Sequence, residues 1–185
     1  GNQADNILDG GAGDDTLFGG DGSTRTPVNG GNDILIGGAG DDTFWYNPRG
    51  GMDTIVDVAV AGEGNMLIFG SNGRERITDS AVTLDVFAGQ LRLVTATDSN
   101  GDVRDAVLLS SFNPYDPFGP HAVDTFQFAN GATLSYDALL ARGFDFRGTQ
   151  ANDAMLGTVL DDRMTGRAGN DELRGSAGND TYVFE

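Results

Sequence analysis

Gly10–Phe18 reads GGAGDDTLF, and the architecture of the chain follows from this stretch. Glycines at its first, second and fourth places allow positive φ and close approach of neighbouring backbones. Asp15, at the sixth place and behind a glycine-rich turn, can direct its oxygens at a hard cation. The last three residues form a very short strand, with Leu17 at the eighth place facing inward. Nine residues cannot bury a core alone. Such a unit is useful only where copies of it stack.

Copies are present. Counting in nines from Gly1 gives GNQADNILD, GGAGDDTLF, GGDGSTRTP, VNGGNDILI and GGAGDDTFW, without an insertion as far as Trp45. The sixth place holds Asn6, Asp15, Thr24, Asp33 and Asp42; the eighth holds Leu8, Leu17, Thr26, Leu35 and Phe44. The frame returns at Gly148 with GTQANDAML, GTVLDDRMT, GRAGNDELR and GSAGNDTYV. Here the sixth place holds Asp153, Asp162, Asp171 and Asp180, and the eighth Met155, Met164, Leu173 and Tyr182.

At these residues the chain resembles the RTX (repeats-in-toxin) proteins and their nonapeptide GGxGxDxUx, a calcium-binding parallel β-helix repeat in which U is a large apolar residue. The resemblance implies an all-β fold: parallel β-roll tracts at both ends, with two nonapeptides per turn and several Ca²⁺ ions between the glycine turns of successive rungs. It also implies the ligands, a carboxylate from place six and main-chain carbonyls from places two and four. In the first tract these are Gly11, Gly13 and Asp15, Asn29, Gly31 and Asp33, and Gly38, Gly40 and Asp42. In the second they are Thr149, Ala151 and Asp153, Thr158, Leu160 and Asp162, Arg167, Gly169 and Asp171, and Ser176, Gly178 and Asp180. Leu160 departs most from the pattern, because a branched side chain disfavours the turn geometry.

With two nonapeptides per turn, residues 18 apart stack. Asp15 then lies over Asp33; Asn6, Thr24 and Asp42 line the other side; Asp153 lies over Asp171 and Asp162 over Asp180. Carboxylates on strands about 4.8 Å apart repel, and a Ca²⁺ between them reverses the sign of that term. Thr24 brings no charge and STRTPV (Ser23–Val28) spoils one unit, which predicts a loop there and a damaged site.

The organisation expected is a β-roll over 1–47, a β-rich block with one short helix over 48–147, and a second β-roll over 148–185. The middle block reads as strands Met52–Val60, Asn65–Phe69, Thr83–Phe87, Gln90–Ala96, Ala106–Phe112 and Asp124–Phe128. Asn100–Gly101 is a hairpin turn. Ser135 caps a helix Tyr136–Arg142, which Gly143 stops. Phe69, Phe87, Phe112, Phe126 and Phe128 offer a core that the tracts lack. DTIVD (Asp53–Asp57), VLLSSF (Val107–Phe112) and DTFQFANGATLSYDAL (Asp124–Leu139) resemble the haemolysin-type calcium-binding-protein-related domain, which sits between RTX tracts.

The 28 acidic and 11 basic residues give a net charge of −17, which argues against nucleic acid or an anionic membrane surface as partner. No stretch is long and apolar enough to span a membrane. There is no cysteine, so bound metal replaces the disulfide as a staple. No N-terminal signal peptide is visible. The resemblance implies an extracellular, secreted destination through the type I secretion machinery, in a toxin- or adhesin-like parent. The chain starts and stops inside repeats and reads as a piece of a tandem array.

No catalytic constellation stands out. His121, the single histidine, lies in the proline-rich loop NPYDPFGPH and reads as a solvated residue. No Gly-x-Ser-x-Gly elbow is present. A calcium-dependent folding module is the leading reading. A polysaccharide-binding module, with Arg74, Arg76, Arg92 and Arg104 facing a glycan or cell surface, is the alternative; surface ion pairs are the simpler account of these arginines.

Overall fold

The computed structural model describes residues 1–20, 30–57, 62–71 and 75–184. In chain order its strands are β1 (Ile7–Ala12), β2 (Thr16–Phe18), β3 (Ile34–Ala39), β4 (Thr43–Tyr46), β5 (Met52–Val56), β6 (Met66–Phe69), β7 (Thr83–Phe87), β8 (Gln90–Thr97), β9 (Val103–Leu109), β10 (Thr125–Gln127) and β11 (Thr133–Ser135). Helix α1 (Tyr136–Leu140) follows, then β12 (Phe144–Arg147), β13 (Ala154–Leu156), β14 (Asp162–Thr165), β15 (Glu172–Arg174) and β16 (Thr181–Val183). The chain is an all-β parallel roll with one α-helix among the described residues.

The glycine turns send alternate strands to opposite walls. One wall of the first tract runs β1–β3–β5–β9–β8–β7, the other β2–β4–β6–β10–β11. Pairing is parallel from β1 to β9 and from β2 to β10, and antiparallel beyond, at β9–β8–β7 and β10–β11. Strands from either side of residue 47 therefore share both sheets by main-chain hydrogen bonds. The second tract repeats the scheme with β12–β14–β16 on one wall and β13–β15 on the other. β12 comes before the first nonapeptide of that tract and supplies its first rung, with Phe146 level with Met164.

Side chains alternate across a strand, so one residue per three-residue strand points inward. The eighth-place residues Leu17, Leu35 and Phe44 are buried; Leu67 continues the file of Leu17 and Phe44 on one wall, and Ile55 that of Leu35 on the other. Phe69 stacks on Phe128 with ring centroids 5.1 Å apart. Phe112 and Phe126 are also buried, as expected. Phe87 is not: 48% of it is exposed. It closes β7 at the hairpin turn through Ala88 and Gly89, where the outward register leaves its ring beneath the Arg92 guanidinium, 4.6 Å from the centroid.

Local signals elsewhere match the chain. Ser135 Oγ accepts from the Ala138 amide and caps α1, and Gly143 follows it with φ of 79°. Asp98 Oδ1 accepts from the Asn100 and Asp102 amides, closing the β8–β9 turn through Gly101.

Candidate metal centres

The register of the first tract differs from the expectation. Ile7 pairs with Ile34 and Leu17 with Phe44, so rungs there repeat every 27 residues. Asp15 consequently meets Asp42, not Asp33, and Asn6 meets Asp33, not Thr24 or Asp42. In the second tract Met155 pairs with Leu173 and Met164 with Tyr182, a repeat of 18, and Asp153 meets Asp171 as Asp162 meets Asp180. The additional nine residues equal the length of 21–29. The loop expected at Ser23–Val28, the weakened site at Thr24 and the carbonyl of Asn29 lie outside the described residues.

Within each column the sixth place forms a side-chain ladder. The Asn6 amide donates to Asp33 Oδ1 at 2.8 Å, and the Asp33 amide to Asp53 Oδ1 at 3.0 Å. In the other column the Asp15 amide donates to Asp42 Oδ1 at 2.9 Å, the Asp42 amide to Asn65 Oδ1 at 2.8 Å, and the Asn65 amide to Asp124 Oδ2 at 2.8 Å. A second ladder runs in the opposite direction through the fifth place. Asn32 donates to Asp5, Asp41 to Asp14, Asn170 to Asn152 and Asn179 to Asp161, each from its amide to a side-chain oxygen. The two ladders satisfy turn amides that the short strands leave without main-chain partners.

In the first tract three ladder carboxylates keep one oxygen for other use. Asp15 Oδ2, Asp33 Oδ2 and Asp42 Oδ2 are buried and have no hydrogen-bond donor. The place-one glycine makes room for them. A Cβ on Gly10 would stand 2.8 Å from both Asp15 Oδ2 and the Gly37 carbonyl oxygen of the next rung. The missing side chain leaves a recess faced by one carboxylate oxygen and one main-chain oxygen beside the Asp15 Cβ, and a hard cation accepts those two donors. Gly40, at the fourth place with φ of 127°, shows the other demand: its Cβ would meet the Gly13 carbonyl at 2.6 Å. Among the described residues no three acidic or histidine side chains converge. The recesses combine carboxylates with main-chain carbonyls instead.

Burial sets the electrostatics. It raises the carboxyls of Asp33 and Asp42, against the amide hydrogen bonds from Asn6 and Asp15 that lower them. It pushes Asp53 up to about 7 and Asp162 up to about 6. A carboxylate that is costly to ionise when bare favours a proton or a cation beside it.

The second tract divides into two kinds of turn. In GRAGNDELR and GSAGNDTYV, Arg167 (φ 68°), Gly169, Ser176 (φ 77°) and Gly178 all have positive φ, so non-glycine residues adopt the turn at place two. In GTQANDAML and GTVLDDRMT, Thr149, Ala151, Thr158 and Leu160 are free of it. There the threonine closes the turn. Thr158 donates its amide to Asp162 Oδ2 at 2.7 Å and its hydroxyl to Asp162 Oδ1 at 3.0 Å, and its Oγ1 accepts from the Leu160 amide at 3.0 Å. Thr149, Ala151 and Asp153 repeat the arrangement. Leu160 is accommodated because its turn is not the glycine turn.

The ladders also reveal units outside both frames. PRGGMDTIV, Pro48–Val56, places Arg49 (φ 67°) and Gly51 (φ 93°) where Arg167 and Gly169 stand, with Asp53 at place six and Ile55 at place eight. Its signal was legible as xRxGxDxUx but shifted by two residues, with Pro48 in place of the first glycine. The fifth-place Asp or Asn was equally visible, in every unit but GGDGSTRTP. His121 is more than a solvated loop residue: its ring stacks on Tyr136 at 3.9 Å and its Nε2 lies 3.3 Å from Asp124 Oδ1. Arg92 and Arg104 pair with Asp85 and Asp105.

Compared with known proteins, the chain matches the family of the RTX calcium-binding nonapeptide repeat, in four copies, over residues 1–23, 28–47 and 147–184. No curated protein matches it. The break in the match between 23 and 28 falls in sequence between β2 and β3. Turn geometry, ladder spacing and family match coincide at both ends, and the two end tracts of the chain are RTX calcium-binding nonapeptide repeats.

Proposed function

We propose that the chain is a calcium-dependent folding module of a secreted bacterial protein, exported by a type I machinery and folded when it meets Ca²⁺ outside the cell. The observation that carries this reading is the set of buried, donorless oxygens on Asp15, Asp33 and Asp42. In calcium-poor surroundings the ionised carboxylates must be stripped of water and held together without a counter-charge, while the glycines retain their backbone entropy. Both terms favour the open, transportable chain. In calcium-rich surroundings the cation reverses the first term, and binding and folding become one event. The role is structural, with chemistry supplied by any attached domain.

Circular dichroism tests the reading. Strand signal should be small in excess chelator and should rise cooperatively with Ca²⁺, with half-saturation between about 10⁻⁵ and 10⁻³ M. Magnesium should substitute poorly because it demands a small octahedral shell. A spectrum unchanged by chelator overturns it.

One observation favours a second reading, a glycan-binding module. A cleft of about 710 Å³ lies between β7–β9 and the start of the second tract, and the exposed Phe87 ring and Thr95 and Thr97 line it. Calorimetric titration of the calcium-loaded protein with neutral and acidic oligosaccharides separates the two readings.

A further inference from the structure

The outer face of the wall β2–β4–β6–β10–β11 carries no charge. Leu17, Phe44 and Leu67 point into the roll, so their neighbours along each strand point out. The register sets these neighbours in two straight rows across the five strands. One row is Thr16, Thr43, Met66, Thr125 and Ser135. The other is Phe18, Trp45, Ile68, Gln127 and Thr133. Neither row holds an ionisable group, in a chain with 28 acidic and 11 basic residues. The matching face of the other wall, by contrast, carries Asp9, Asp85 and Arg92.

Phe18 and Trp45 are cross-strand partners, and they remain 36% and 38% exposed. Adjacent rings form a platform whose negative faces attract C–H groups. Gln127 and Thr133, both exposed, extend the same row with an amide and a hydroxyl. The parallel row adds the hydroxyls of Thr16, Thr43, Thr125 and Ser135, which both donate and accept. The centre of a protein–protein contact is more apolar than this mixture. A sugar polymer presents its complement, with C–H groups on the ring faces and hydroxyls around the rim. Charge narrows the class. Asp14 and Asp41 are exposed on the turns beside the first row and repel an anionic polymer. A cationic polymer finds no acid on the face itself. Geometry narrows it further. Successive strands lie about 4.8 Å apart, close to the advance of one pyranose unit along an extended β-linked chain. Each rung therefore meets a new sugar unit in the same way, over a length of about 19 Å for five strands.

We propose that this face binds a neutral, extended, β-linked polysaccharide, its sugar rings stacked on Phe18 and Trp45 and its hydroxyls met by the threonine row and Gln127. The inference goes beyond the calcium reading, which it needs only for the folded state. The surface is also separate from the cleft beside Phe87, since none of the residues in the two rows lines that cleft.

Trp45 is the single tryptophan, so its fluorescence reports on this face directly. The calcium-loaded chain is titrated with cellohexaose and xylohexaose as neutral β-linked probes, with α-linked maltohexaose and an acidic oligogalacturonate as controls. A β-linked probe should shift the emission, and neither control should. In calorimetry Trp45→Ala should weaken that binding about tenfold or more, whereas Phe87→Ala, in the cleft, should leave it unchanged. Should Trp45→Ala fail to fold, Gln127→Ala, exposed at the other end of the row, should weaken binding in its place. Circular dichroism that chelator leaves unchanged refutes the proposed function. In a chain that does fold on calcium, three results overturn this inference alone: no binding of either β-linked probe, preference for a control, or loss of binding in Phe87→Ala with Trp45→Ala unaffected.

Discussion

Replacing Asp53 by Asn should move stability in opposite directions with and without calcium. Asp53 is buried, its Oδ1 accepts from the Asp33 amide, and burial holds its carboxyl up to about 7 against an ordinary value of 3.8. At 1.36 kcal/mol per pH unit, ionising it inside the metal-free fold costs about 4 kcal/mol. Between pH 4 and 7 the folded chain holds a proton that the unfolded chain has released, so metal-free stability falls as pH rises through that window. Below about pH 4 the term vanishes, and above 7 it is complete. Asparagine removes the charge and keeps the acceptor. Asn6 and Asn65 already occupy this place in the ladders, and Asn65 Oδ1 accepts a rung amide at 2.8 Å. Urea titrations in excess chelator should therefore find Asp53→Asn more stable than wild type at pH 8, by up to about 4 kcal/mol, and equal to it near pH 4. Where the metal-free wild type is already unfolded at pH 8, the variant alone should retain a transition. With calcium the order should invert, because the cation that repaid the burial has lost a carboxylate. A metal-free variant no more stable than wild type at pH 8 refutes the reasoning.

Three further outcomes follow from the register and packing. Asp42→Ala should lose bound calcium, since its Oδ2 is buried without a donor while its Oδ1 accepts the Asp15 amide; a variant that keeps the full complement by calorimetry contradicts the reading of that recess as a calcium site. Thr158→Val should destabilise the calcium-loaded second tract by about 1–3 kcal/mol in urea titrations, because its buried hydroxyl holds Asp162 and the Leu160 amide directly. Chelation should release hydrogen-exchange protection in β5 and β6 together with β3 and β4, as the four share main-chain ladders; protection kept over β5 and β6 alone in chelator would show that they form without the roll.

The sequence by itself determined the turn, the inward residue and the wall. Glycine at places two and four answers a local demand on φ, and a large apolar residue at place eight answers the alternation of a strand; both are written within nine residues. The cap at Ser135 and the turn at Gly101 are local in the same sense. What stacks on what is not local. An addition of nine residues to a repeat of nine leaves the reading frame intact, so the spacing of Asp15, Asp33 and Asp42 along the chain is the same whether a rung takes 18 residues or 27. Only main-chain pairing across the walls distinguishes them, and it put Asp15 over Asp42. The same holds for Asp53, whose unit is shifted by two residues. Its part in the site depends on distance through space between turns, which tertiary pairing sets and the period along the chain does not.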